Sequence, residues 1–254
     1  MHRFEDKVVI VTGAGSGMGR ATAARFAREG AHVVLVGRTA AKLEDVASSL
    51  EGGRALVCAA DVSQPEDVQR IVASTLKAFG HIDVLVNNAG VAAQGKIPDA
   101  SLEDWKKVMS IDLDGVFYMC RAVIPELIKT KGSVINVSSV SGIGGDWGMG
   151  IYNAAKGAVT NLTRAMALDH GPDGVRINAV NPSLTKSEMT ADMFDDKALM
   201  AKFKERIPLG RAAEAEEVAD VIAFLASHDA RFITGVNLPV DGGLSASNGQ
   251  PPQA

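Results

Sequence analysis

Short apolar runs alternate with longer helical patterns along almost the whole chain, and no other feature restricts its fold so strongly. "KVVIVT" at 7–12 leads into "GRATAARFAREG", "HVVLVG" at 32–37 into "AKLEDVASSL", and "RALVCAA" at 54–60 into "PEDVQRIVASTLKAFG". "IDVLVNN" at 82–88, "GSVINVSS" at 132–139, a helical pattern from about 152 to 170, "VRINAVN" at 175–181 and "GVNLPVDGG" at 235–243 continue the series. The strand runs are continuously apolar, as expected when helices cover both faces of a sheet. Strand–helix alternation with right-handed crossovers predicts an α/β fold with a doubly wound parallel sheet. No Pro/Ser-rich linker interrupts the pattern, so residues 1–254 are expected to form a single domain. Two segments stand apart: 183–208, which begins as a loop after a strand, and the polar tail "SASNGQPPQA" at 245–254. The tail either covers a neighbouring subunit or is disordered, and its composition favours disorder.

The first strand runs into "VTGAGSGMGR", with glycines at 13, 15, 17 and 19. Gly13 permits the sharp exit from the strand, Gly17 lets backbone approach a pyrophosphate, and Gly19 lets the following helix pack close to the sheet. The amides around Ser16 and Met18 open a helix, whose N-terminus attracts an anion. A glycine cluster alone also fits a flexible turn; between a strand and a helix it points to a nucleotide. The second strand ends in "VLVGRT", with Gly37 where an acid would bind a ribose 2′-hydroxyl, followed by Arg38. That pairing removes repulsion toward a 2′-phosphate and offers a guanidinium to it, so NADP(H) is favoured over NAD(H). The competing reading of Arg38 is a solvated surface residue.

"IYNAAKG" places Tyr152 and Lys156 one helical turn apart on the same face. A free phenol titrates near pH ~10. A nearby ammonium stabilises phenolate, which makes such a tyrosine a usable acid/base. The hydroxyls of "NVSSVSG" upstream fall at the end of a strand, where open α/β sheets bind ligands.

Taken together, the glycine loop, "DV" at 61–62, "NNAG" at 87–90, "NVSSVSG", "YNAAK", "NP" at 181–182 and "VDGG" near the end resemble the short-chain dehydrogenase/reductase family over essentially the whole chain. The resemblance implies a Rossmann-type seven-stranded parallel sheet, usually a homotetramer, and hydride transfer between a nicotinamide cofactor and an alcohol or carbonyl. It assigns the catalytic serine to Ser139, thirteen residues before Tyr152, rather than to Ser138. Tyr152 then becomes the acid/base and Lys156 the ribose-binding lysine. It places Asp61 and Val62 near the adenine and Asn88, Ala89 and Gly90 beside the adenosine ribose. Beyond Pro182, Thr185 and Ser187 are assigned to the nicotinamide amide; Ser183 and Ser187 stand where the family usually has glycine and threonine. "VSGIGGDWG", "NLTRAMALDHG" and "ERIPLGRAAE" resemble the acetoin and butanediol dehydrogenase branch, which is expected to prefer NAD(H), against the reading of Arg38. A small diol- or acetoin-like substrate follows from that branch, with a 3-oxoacyl reductase as the alternative and a non-catalytic NAD(P)-binding protein as the rival class. Ser141, Asp146 and Trp147 become candidates for the substrate pocket, or parts of a surface turn with a packed tryptophan.

"MSIDLDGVF" at 109–117 puts a carboxylate, Asp112, on an apolar stripe with Trp105, Met109 and Val116. A charge there is expensive unless paired or used. By the resemblance, Asp112 sits where the family has a catalytic asparagine that supports a water in a proton relay to lysine. The other reading is a side chain that only satisfies local backbone.

Composition narrows the alternatives. The formal net charge of −4 argues against a nucleic-acid or anionic-membrane partner, which would want a basic face. Two cysteines, Cys58 and Cys120, cannot form a disulfide framework, no run spans a membrane and no apolar leader opens the chain, so a soluble cytoplasmic protein is expected. The five histidines lack metal-binding spacing, and no metal site is expected. His170, before Gly171, reads as a helix C-cap.

Overall fold

A computed structural model describes residues 2–52 and 54–250. Strands β1 (Val8–Thr12), β2 (His32–Gly37), β3 (Ala55–Ala59), β4 (Val84–Asn87), β5 (Ser133–Val137), β6 (Arg176–Pro182) and β7 (Asn237–Val240) form one seven-stranded sheet. Its order is β3-β2-β1-β4-β5-β6-β7, and every pairing is parallel. The expected Rossmann-type doubly wound sheet is therefore observed. Chain order reverses between β1 and β4, so the crevice at their carboxyl ends is the natural ligand site of the fold.

Period-two alternation divides the strand residues between two cores. Val9, Val11, Val33, Leu35 and Val86 pack with helices α1 (Gly17–Arg28), α2 (Ala40–Ser49) and α9 (Ala215–Ala226) on one face. Val8, Ile10, Val34, Val36 and Leu85 pack with α3 (Pro65–Phe79), α5 (Gly115–Thr130) and α6 (Gly150–His170) on the other. Central strands β1, β4 and β5 are buried throughout, whereas edge strands β3 and β7 are partly exposed.

Some local expectations need correction. The segment around Asp112 is not one regular helix: α4 (Leu102–Met109) joins α5 through a π-helical turn, Ser110–Asp114. The residue accommodated by that wider turn rotates everything before it relative to everything after it. Trp105 consequently lies 43% exposed, and Val108 is the α4 residue buried on the side of Asp112. The 183–208 segment carries α7 (Ala191–Asp195) and α8 (Lys197–Arg206), the latter capped by Asp196, which accepts from the amides of Ala198 and Leu199. His170 does not precede a left-handed cap, because Gly171 continues in right-handed helical conformation; the ring instead meets the Asp173 carboxylate at 3.2 Å. In the tail, Leu244–Ala246 form a short 3-10 turn, and residues 251–254 lie outside the described residues.

Candidate active site

At the carboxyl end of β1 the backbone turns through Gly13 (φ 64°) and Gly17 (φ 50°), a left-handed region that favours glycine. Gly19 is fixed by space: a Cβ there would lie 2.1 Å from the Gly13 carbonyl oxygen and 2.6 Å from the Asn88 amide nitrogen. Asn88 Nδ2 donates to the carbonyls of Thr12 (2.9 Å) and Gly13 (3.3 Å), and Thr12 Oγ1 accepts from the Asn88 and Ala89 amides. The loop is thus clamped to the end of β4. The Ser16 side chain takes none of the α1 first-turn amides, which leaves the helix N-terminus suited to a diphosphate.

A cleft of about 320 Å³ opens here, and Gly13, Ser16, Gly17, Met18, Arg38, Asp61, Val62, Asn88, Ala89, Gly90 and Ser187 all line it. Sequence-assigned cofactor residues from the ends of β1, β2, β3 and β4, with Ser187 from the segment after β6, therefore meet at one groove. Arg38 is exposed, with no carboxylate paired to it among the described residues. Asp61 Oδ1 accepts from the Ser63 amide and hydroxyl, which fixes its carboxyl group beside the groove. Gly19 packs beneath the groove rather than lining it. Pro182 ends β6, and Thr185 is buried, its hydroxyl donating to the Ser183 carbonyl.

Next to the groove, α6 carries Tyr152 and Lys156, with Lys156 Nζ 5.6 Å from the Tyr152 ring centroid. Lys156 is almost fully buried; Nζ donates to the Val137 carbonyl at 3.1 Å and lies 3.1 Å from Asp112 Oδ2. Asp112 is 0% exposed, and its Oδ1 accepts from the Val91 amide at 2.8 Å. The contact at Oδ2 is an ion pair without hydrogen-bond alignment. The expected pairing through a water is replaced by direct contact, because the π turn delivers the carboxylate onto α6. Burial pulls the Lys156 ammonium downward, but attraction to Asp112 and then Tyr152, with the Asp112 contact, outweighs it and holds the group above the usual lysine range. Gly90 lets the backbone pass over this pair; a Cβ there would sit 2.9 Å from Asp112 Oδ2.

Ser138 and Ser139 leave β5 on opposite sides. Ser138 Oγ donates to the Lys156 carbonyl (3.0 Å) and meets Thr160 Oγ1 (2.8 Å), fastening α6 to the strand. Ser139 Oγ lies 3.1 Å from Ser141 Oγ, and Asn181 Nδ2 donates to the Ser139 carbonyl at 2.7 Å. Ser141 in turn hydrogen-bonds Asp146, and Asn153 holds this loop through the carbonyls of Ser141 and Gly144. Trp147 is 92% exposed, so it is not the packed tryptophan of a surface turn that the sequence reading allowed. It stands between Asp146 and the left-handed Gly148 (φ 69°), in an exposed turn.

Sequence reasoning missed several contributors. Thr12 was visible only as a strand-end hydroxyl before Gly13. Lys42 and Glu188 face each other across the groove at 2.6 Å, a contact between residues far apart in the chain that no local pattern signals. Among the described residues no cluster of three or more His, Cys, Asp or Glu is placed to hold a metal ion, and no helix is long and apolar enough to cross a membrane.

A family described as enoyl-(acyl carrier protein) reductase matches residues 13–245. The chain is 54% identical over 249 residues to the meso-2,3-butanediol dehydrogenase of Serratia marcescens, covering 98% of each. In structure it is similar to levodione reductase, with a TM-score of 0.92 and 38% identity over 96% of this chain and 99% of that one. It is also similar to a 3-ketoacyl-(acyl-carrier-protein) reductase from Brucella melitensis complexed with NADH, with a TM-score of 0.88 and 36% identity over 95% and 99%.

Proposed function

The chain belongs to the short-chain dehydrogenase/reductase family, and on that premise we propose that it transfers a hydride between a nicotinamide cofactor and a small secondary alcohol or ketone of the diol/acetoin type. The observation that carries this reading is the Tyr152–Lys156–Asp112 cluster set directly beside the glycine-lined groove. The identity to a butanediol dehydrogenase over nearly the full length supports the substrate class. A 3-oxoacyl thioester is the second reading, supported by the likeness to the ketoacyl reductase.

The bound cofactor supplies the nicotinamide that accepts or returns the hydride. In the oxidative direction Tyr152 takes the hydroxyl proton while Ser139 hydrogen-bonds the substrate oxygen. Lys156 binds ribose and stabilises negative charge on the phenol, and Asp112 serves the proton relay through Lys156. Gly13, Ser16, Gly17 and Met18 cradle the diphosphate while Gly19 lets α1 pack beneath them, Asp61 and Val62 hold the adenine, and Asn88, Ala89 and Gly90 the ribose. Pro182, Thr185 and Ser187 approach the nicotinamide amide. Ser141 and Asp146 border the substrate. Gly37 and the exposed Arg38 favour NADP(H) over NAD(H). The chain acts as a single domain, 183–208 its substrate-side lid, and as a cytoplasmic homotetramer. Free thiols at Cys58 and Cys120 support the reducing compartment.

The test is Tyr152→Phe assayed with NADH and NADPH against diacetyl, acetoin and a 3-oxoacyl thioester. Turnover is expected to fall about 10²–10⁴-fold, with cofactor binding by fluorescence titration unchanged. Near-parent turnover in the variant overturns the mechanism, and a thioester preferred over both small ketones moves the substrate to the second reading.

A further inference from the structure

Lys156 faces one carboxylate in a nearly fully buried site. Its Nζ lies 3.1 Å from Asp112 Oδ2, and the two side chains are 5% and 0% exposed. The elements packed against the pair bring no second charge into ion-pair range among the described residues. Glu103, Lys106 and Lys107 of α4 are exposed and Asp104 is bonded to Ser101, Val137 of β5 gives a carbonyl, and the segment after β4 gives the Val91 amide. Ser139 and Ser141 present hydroxyls, Asp146 is exposed and bonded to Ser141, and Arg176 sits at the opposite end of β6. Tyr152 is the remaining titratable group on α6 near the ammonium, with its ring centroid 5.6 Å from Nζ; Arg164 of the same helix is exposed.

We infer that Asp112 sets the charge of the reaction centre: its carboxylate balances Lys156, so that the Tyr152 phenol works beside a nearly neutral pair instead of a bare cation. The inference rests on the proposed acid/base role of Tyr152. Asp112 acts through Lys156 and is a positioning residue. A cation within a few ångströms favours an ionised neighbour, and a carboxylate paired to that cation withdraws most of the effect. Proton removal from the alcohol therefore belongs to a higher pH than Lys156 alone would permit, which favours carbonyl reduction at neutral pH.

The sequence makes this directly measurable, because the chain has two tyrosines, Tyr118 and Tyr152. In a Tyr118→Phe background a spectrophotometric titration of the phenolate band reports Tyr152 alone, without cofactor or turnover. Asp112→Asn is expected to move that titration toward acid by about one pH unit, and to move the alkaline-rising limb of alcohol oxidation the same way. No movement, or movement toward alkali, overturns the inference. Should Asp112→Asn not fold, the double variant Asp112→Asn/Lys156→Met removes both buried charges together. Its phenol is expected to titrate close to the parent, whereas Lys156→Met alone, with a carboxylate left unbalanced, titrates at distinctly higher pH. A double variant titrating far above the parent means that Lys156 acts uncompensated, and also overturns the inference. Retained turnover in Tyr152→Phe would defeat the proposed mechanism while leaving these titrations intact, so the two failures are distinguishable.

Discussion

Arg38 and Asp112 show how differently single residues expose their roles. Arg38 stands at the end of β2, and its proposed role is local: Gly37 stands where an acid would, and no carboxylate pairs with the guanidinium among the described residues. A phosphate contact of that kind contributes about 1.5 kcal/mol or more, reduced by solvent at an exposed site. Arg38→Leu is therefore expected to lower kcat/KM for NADPH about tenfold and leave NADH nearly unchanged; parallel steady-state assays with both cofactors check it, and equal losses would refute the preference. Asp112 was legible as an anomaly, a charge on an apolar stripe; it is buried, although the π turn breaks the stripe and leaves Trp105 exposed. Its partner was not legible as a direct contact, because 3.1 Å between Nζ and Oδ2 depends on how the π turn meets α6.

Among elements, the strands and most helices were readable because apolar runs and turn signals are local. Where an element's geometry depends on its neighbours, the reading failed. The π turn between α4 and α5 has no sequence signature, and it moved Trp105 to the surface. The end of α1 shows a second tertiary device. Glu29, 9% exposed in its side chain, accepts from Arg3 at 2.6 and 2.7 Å and from Arg25 at 2.7 Å, tying the N-terminal segment to the helix end. Burial pushes its carboxyl upward, but the bonds from Arg3 and Arg25 prevail and hold it below the usual range. A depressed carboxylate contributes stability that is fully present above the unfolded pKa and lost as pH falls through the folded one. Glu29→Gln is expected to destabilise by about 1–3 kcal/mol at pH 7, with the gap to the parent closing in acid. Urea denaturation across pH 3–7 checks both the size and the direction.

At the scale of the molecule, one sheet with two apolar faces makes the interior cooperative, and Cys120 reports on it. Its thiol is 1% exposed, lies 3.3 Å from Asn87 Nδ2, and is pushed up to about 12 by burial despite that contact. Alkylation requires a thiolate and access. In the folded protein Cys120 is expected to react at least about 10³-fold more slowly than in urea, at a rate that tracks global unfolding. Mass spectrometry of maleimide-treated protein checks this, with half-buried Cys58 as the internal comparison. Labelling of Cys120 at the denatured rate under native conditions would mean that this core opens locally. The sequence by itself determined the alternating architecture, the glycine-lined cradle and the Tyr152–Lys156 spacing, since each rests on periodicity or on one residue's conformational freedom. Only the tertiary structure decided the Asp112–Lys156 ion pair, the Thr12–Asn88 clamp and the Lys42–Glu188 contact across the groove. Those depend on distances between segments far apart in the chain, which are fixed when the two cores pack and by no local propensity.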